Sequence, residues 1–182
     1  SHLLEHVHDR TSRFFAEVEE LAAAIPHRDL AIQWDVAVEI GVLEGVFHPE
    51  PELATFERIV AELVACARAV PDDVQVGLHF CYGDYKHRHF KAPGDLALPV
   101  RLADAVAREV ALDWVHMPVD RETGLRPAYF APLRDLAVGD AQLALGVIDY
   151  ENDSARIDAL VAAADAGADR AYAVATECGM AR

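Results

Sequence analysis

Five short apolar runs, LAIQWDVAV (30–38), VQVGLHF (74–80), LDWVHMPV (112–119), QLALGVID (142–149) and RAYAVATEC (170–178), alternate with stretches whose apolar residues recur at helical spacing. This alternation constrains the fold more than any other feature of the chain. Leu4, Val7, Phe14, Val18, Leu21 and Ile25 mark a first helix that Pro26 ends. Pro51 opens a second, carried by Leu53, Phe56, Val60, Leu63 and Ala67, which Pro71 and Asp72 close. Pro99 opens a third with Leu102, Val106 and Val110 on one side, and Pro132, Leu133 and Leu136 predict a short fourth. Asp153 or Ser154 caps the last, which holds Ile157, Leu160, Val161 and Ala164. One helix followed by five strand-helix steps without a final helix predicts an α/β protein whose parallel sheet is joined by right-handed crossovers.

Two parallel architectures compete. An open doubly wound sheet calls for a glycine-rich GxGxxG turn after an early strand, and no run here leads into one. The run ends carry polar clusters instead: Asp35 with Glu39, His79 with Cys81 and Asp84, Asp120 with Arg121, Asp149 with Glu151, and Glu177 with Cys178. Functional groups at the C-terminal ends of successive strands are the habit of the (β/α)8 TIM barrel. Only five of its strand-helix units are present, so the expectation is a partial barrel forming a single domain over 1–182.

Charge narrows the partners. The net charge of −15 arises from 31 acidic against 16 basic residues, with no basic stripe that could track phosphates. Nucleic acid and anionic membrane are therefore not expected. No apolar run reaches the ~20 residues needed to span a bilayer, and a soluble, cytoplasmic protein is expected. Cys66, Cys81 and Cys178 are an odd number in a chain able to form a full core, which favours thiols or ligands over a disulfide framework.

The richest segment is GLHFCYGDYKHRHF (77–90). In an extended strand Gln75, Gly77, His79 and Cys81 share one face, and Val74, Val76, Leu78 and Phe80 the other. The apolar face suits packing against helices; the polar face would look into a barrel. His79 and Cys81 would have Cα atoms about 6.6 Å apart, within reach of one tetrahedral ion. A lone His-x-Cys also fits a buried strand end, because cysteine is among the most buried residue types. His87 and His89 lie beyond Gly83 beside Lys86 and Arg88, where solvated loop positions or substrate contacts are expected. His116 is a rival ligand or a satisfied histidine of the barrel wall, and Cys66 reads as helix core.

The segments IQWDVAV, HFCYGD, LALGVID and ATECGM occur in the order and rough spacing of the C-terminal catalytic barrel of cobalamin-independent methionine synthase and related zinc methyltransferases. The whole chain resembles strands four to eight of that barrel. The resemblance implies a zinc site at His79, Cys81 and Cys178, which fall on three of the family's four ligand positions. The fourth, a glutamate in the family, is Pro118 here; Glu122, Asp120 or His116 could compensate, or the position stays open for substrate. The resemblance further implies that Asp35 holds the amino group of a thiol substrate. Asp149 matches the family's GV-x-D, and Glu151 stands where the family has a proton-donating histidine, a role a glutamate can take if burial raises its pKa. Asp84 and Arg121, with Arg126, Lys86 and Arg88, are candidate contacts for an acidic substrate.

The implied activity is zinc-dependent transfer of a methyl or alkyl group from a small-molecule donor to a small-molecule thiol. Two alternatives stand beside it. Uroporphyrinogen-decarboxylase-like enzymes share the barrel and need no metal, in which case Asp35, Asp84 and Tyr82 would surround an acidic substrate. A partial barrel with two open sheet edges could instead be non-catalytic, completed by a second copy or by a missing N-terminal half.

Overall fold

A computed structural model describes residues 2–83, 89–149 and 151–178, with backbone alone for 2–12 and for Leu53. The helices are α1 (His2–Ala24), α2 (Val38–Leu43), α3 (Phe56–Arg68), α4 (Ala97–Ala107), α5 (Pro127–Phe130) and α6 (Ser154–Ala168). The strands are β1 (Ala31–Val36), β2 (Gln75–Phe80), β3 (Trp114–Pro118), β4 (Gln142–Ile148) and β5 (Ala173–Thr176). They form one parallel sheet in the order β1-β2-β3-β4-β5.

That order separates the two parallel architectures. Right-handed crossovers that always step to the next strand in one direction put every connecting helix on the same face. A doubly wound sheet reverses direction and covers both faces. Here one face carries the helices, and the other is the inward face of a partial barrel. The register agrees: Leu78 lies between Trp34 and Val115, and Val115 pairs Leu143, all on the helix side. Val36, Leu78, Phe80, Val115, Met117, Leu145 and Val147 are buried there against Ile40, Ile59, Leu63, Leu102, Val106, Leu160 and Ala164. Each of the larger side chains here contributes about 1.5–3 kcal/mol when fully buried, and Ala164 less. One step along the strands, Asp35, His79, His116, Ala144 and Ala173 stand in register across all five strands on the inward side.

Gly77 shows why the inward face of β2 reads Gln-Gly-His-Cys. A Cβ at Gly77 would stand 2.1 Å from Cε2 of Trp114, so the indole of β3 lies directly on its backbone. The indole Nε1 donates to Gln33 Oε1 of β1 at 3.3 Å, tying three strands together below the polar residues.

Boundaries depart from the sequence expectation in three places. The run LAIQWDVAV ends as a strand at Val36, and Val38–Leu43 turns into the unanticipated helix α2. Its return is fixed by Val46 and Phe47, whose amides both donate to the Gly41 carbonyl (2.8 and 3.0 Å), contacts no apolar pattern reveals. Pro51 lies in a 3-10 turn, and α3 starts at Phe56 with Thr55 Oγ1 accepting from the Arg58 amide at 3.2 Å. Helix α4 starts at Ala97, two residues before Pro99. Asp153 does cap α6, accepting from the Arg156 amide at 2.8 Å. Among the described residues no helix is long and apolar enough to cross a membrane.

Candidate metal centre

His79 ends the inward face of β2, Cys81 follows it, and Cys178 lies two residues beyond β5. One donor atom from each lies within 4.8 Å of the others. In a flat sheet, β2 and β5 would be three strand spacings apart, about 14 Å. Convergence of their ends therefore reports strong curvature of the sheet, as barrel closure requires. The path into Cys178 is held by the Glu177 amide, which donates to the Ile148 carbonyl at 2.8 Å beside an irregularity in the β4–β5 register.

Both His79 (4% exposed) and Cys81 (3% exposed) are buried. The Gly83 amide donates to Cys81 Sγ at 3.2 Å, a contact that favours a thiolate. Against it, the hydrogen bond with Cys178 and then burial push the Cys81 thiol far above its ordinary range. Two sulfurs this close retain a proton between them unless a cation takes its place, and a bound divalent cation deprotonates coordinating thiols outright. Two sulfurs and one imidazole form the soft, borderline donor set that suits zinc. By contrast Cys66, on α3, is lifted to about 11 chiefly by burial and is half-buried beside the core, not within it as expected from the sequence.

Around this cluster the inward face is polar and paired. His116 of β3 meets His79 through their Nδ1 atoms at 2.8 Å, and burial, with His79 adding to it, lowers His116 to about 4. Asp35 stands beside His79 in register and accepts from Gln33 Nε2 at 3.0 Å. Asp149 is buried, accepts from the Glu151 amide at 2.8 Å and pairs with Arg121 at 3.3 Å. Arg121 also pairs with Glu151, whose side chain is 45% exposed. Glu151 is thus not buried, and the condition set for raising its pKa is unmet. Arg121, expected to meet an acidic substrate, already holds two carboxylates. A cleft of about 620 Å³ opens beside them, lined by Arg121, Glu122, Glu151, Asn152 and Arg156. Asp84, Lys86, His87 and Arg88 lie outside the described residues.

His89 corrects the expectation of a solvated loop position. Its side chain is only 14% exposed, with Nδ1 3.4 Å from Asp120 and Nε2 bonded to Glu177. Burial works against a charged imidazole, yet these two carboxylates carry His89 up to about 9. Burial would also raise Asp120, but His89, the Thr123 amide and hydroxyl and the Glu122 amide hold it well below the carboxylate range. Glu177 is raised, mainly by burial and against the pull of His89. It was visible in sequence only as the neighbour of Cys178, and the HRHF spacing gave no sign that His89 folds back to it. A histidine held as a cation in the fold adds stability that is complete below its unfolded pKa of about 6.5 and is lost as pH rises through about 9. In urea unfolding, the stability gap between wild type and His89→Gln is expected to be largest near pH 6 and to shrink by about pH 9.5. A gap that widens with pH contradicts the ion-paired histidine.

Compared with solved structures, the chain is similar to a candidate vitamin-B12-independent methionine synthase from Listeria monocytogenes, with 18% sequence identity and a TM-score of 0.57. The match covers 98% of this chain and 50% of that one, so the chain spans about half the length of the structure it resembles. The fold is methionine-synthase-like. No protein-family model and no curated protein matches the sequence. Within this methionine-synthase-like fold, Pro118 is a buried member of β3 whose carbonyl accepts from the Tyr129 hydroxyl at 2.9 Å. The three residues suggested as substitutes for a fourth ligand are otherwise engaged: Asp120 by His89 and its own turn, Glu122 by Arg156, and His116 by His79. Among the described residues only His79, Cys81 and Cys178 come together as a metal-ligating group.

Proposed function

We propose that this chain carries the metal-binding part of a zinc-dependent transferase that moves a methyl or other alkyl group onto a small-molecule thiol. The observation that carries the reading is the convergence of His79, Cys81 and Cys178 at the C-terminal ends of β2 and β5. Three protein donors leave one position of a tetrahedral ion for substrate, the pattern of catalytic rather than structural zinc. When bound, zinc would supply a nucleophilic thiolate near neutral pH from a thiol that is otherwise mostly protonated, with a pKa of about 8.5.

The chain's own residues serve the two ends of the transfer. Asp35, on the inward face beside His79, offers a carboxylate to a cationic group on the thiol substrate. The alkyl donor sits towards the cleft between the ends of β3 and β4. As the new S–C bond forms, the donor's C–X bond breaks and X leaves with its electron pair, to be protonated by solvent. Asp149 holds the Glu151 amide and the Arg121 guanidinium in place. An anionic donor would have to compete with Asp149 and Glu151 for Arg121.

Protein purified without chelator is expected to hold about one zinc per chain, or to take it up on addition, and to alkylate a thiol only when loaded. A folded protein that neither contains nor binds zinc excludes this function.

A further inference from the structure

Although β2 and β3 are neighbours, the placement of His116 does more than fill the barrel wall. It pairs with His79 across the two strands, their ring centroids are 4.4 Å apart, and the two Nδ1 atoms approach to 2.8 Å. A nitrogen-nitrogen contact of this length requires one proton between the atoms. With two protons the N–H groups collide; with none, two lone pairs do. One ring donates and the other accepts.

The choice follows from the metal site. His79 has its Nδ1 engaged, so Nε2 is the atom free to offer a lone pair. A neutral imidazole with a lone pair on Nε2 carries its proton on Nδ1. His79 must then donate, His116 Nδ1 must accept, and His116 must hold its own proton on Nε2. That atom is buried without a well-formed hydrogen bond among the described residues. Its neighbour is the Thr176 carbonyl of β5: a Cβ at Gly146 would stand 3.2 Å from His116 Nε2 and 3.3 Å from Thr176 O, so the glycine leaves both atoms room to approach. Thr176 lies two residues before Cys178.

We infer that His116 is a positioning residue for the metal site: it accepts the Nδ1 proton of His79, fixes that ring as the Nε2-ligating tautomer, and links it to the strand that delivers Cys178. The inference rests on the zinc reading above and adds to it a residue that touches neither metal nor substrate. Partners of this kind typically set metal affinity over a 10–100-fold range.

The test compares two variants of the whole protein by zinc competition against a chromophoric chelator. His116→Phe keeps a ring but no acceptor; His116→Asn keeps an acceptor oxygen close to the position of Nδ1. The Phe variant is expected to bind zinc about 10–100-fold more weakly than wild type, and the Asn variant to recover most of that loss. An unchanged Phe variant overturns the positioning role, and so does an Asn variant as weak as Phe, because an acceptor at that position would then not matter. If wild type binds no zinc, the underlying function fails; if it does and Phe is unchanged, only the role of His116 fails. Should the Phe variant not fold, nitrogen NMR of wild-type zinc protein decides: Nδ1 of His116 bare and Nε2 protonated supports the role, and the reverse assignment overturns it.

Discussion

Cys178→Ser and Cys81→Ser are each expected to lower zinc affinity by more than about 100-fold, beyond the 10–100-fold typical of losing an outer partner. Each removes one of three direct donors and replaces a thiol, which a bound cation deprotonates, with a hydroxyl that resists it. Folding of the metal-free protein should be little affected. Serine is close to cysteine in size, and the Gly83 amide still finds an acceptor at position 81. Cys66→Ser is the internal control, since its half-buried thiol lies on α3, outside the metal-ligating group, and should leave zinc binding at the wild-type level. Metal content after dialysis and chelator competition both read the effect. A Cys178→Ser protein that retains wild-type zinc removes β5 from the site and with it the proposed function.

Gly167→Ala is expected to destabilise the protein by about 3 kcal/mol, the upper part of the overpacking range. In a helix interior the same change usually stabilises by about 0.5–1 kcal/mol, so the predicted sign is opposite to that of helix propensity. The reason is contact with backbone. A Cβ at Gly167 would lie 2.1 Å from the Pro127 carbonyl oxygen and 2.9 Å from its carbon, with Phe130 Cβ at 3.0 Å. No rotamer change relieves a clash with main chain at the start of α5. Arg134 Nε also bonds the Gly167 carbonyl at 2.9 Å, so α6 cannot shift away without losing that contact. For a chain of this length the melting temperature should fall by about 6–12 °C. An unchanged or raised melting temperature would falsify the close approach of α5 to α6.

Much of the architecture was legible because it follows from periodicity. Period-2 runs in the company of period-3.6 stretches admit few arrangements other than a parallel sheet with helical crossovers, and the polar run ends pointed to a barrel over a doubly wound sheet. The alternation in VQVGLHF correctly divided Val76, Leu78 and Phe80, buried towards the helices, from Gly77 and His79 on the inward side. Less visible were features that depend on a chain returning on itself. Val38–Leu43 carries the composition of a strand extension, and only its closure onto Gly41 makes it a helix.

The candidate site divides in the same way. His79 and Cys81 could be paired from their spacing, because two residues on one strand face have a fixed separation. Cys178, 97 positions after Cys81, could be joined to them only through a family resemblance; the folded chain brings its sulfur to the same point. The segment around His89 reads as solvated when taken alone, whereas Asp120 and Glu177 enclose the histidine from just beyond β3 and β5. Glu151, marked by its position in the sequence, is half exposed, while Glu177, only 12% exposed, is the carboxylate next to Cys178.

By itself the sequence determined the order of the five strands and the main helices between them, the parallel sheet, the inward face of β2 and the pair His79-Cys81, since each of these is set by spacing along one local segment. The tertiary structure alone decided that the sheet curves enough to bring β5 to β2, that His116 pairs with His79, that His89 sits between two carboxylates and that Gly167 must lack a side chain. These are distances between segments far apart in the chain, and they are fixed by packing against surfaces that no local pattern encodes.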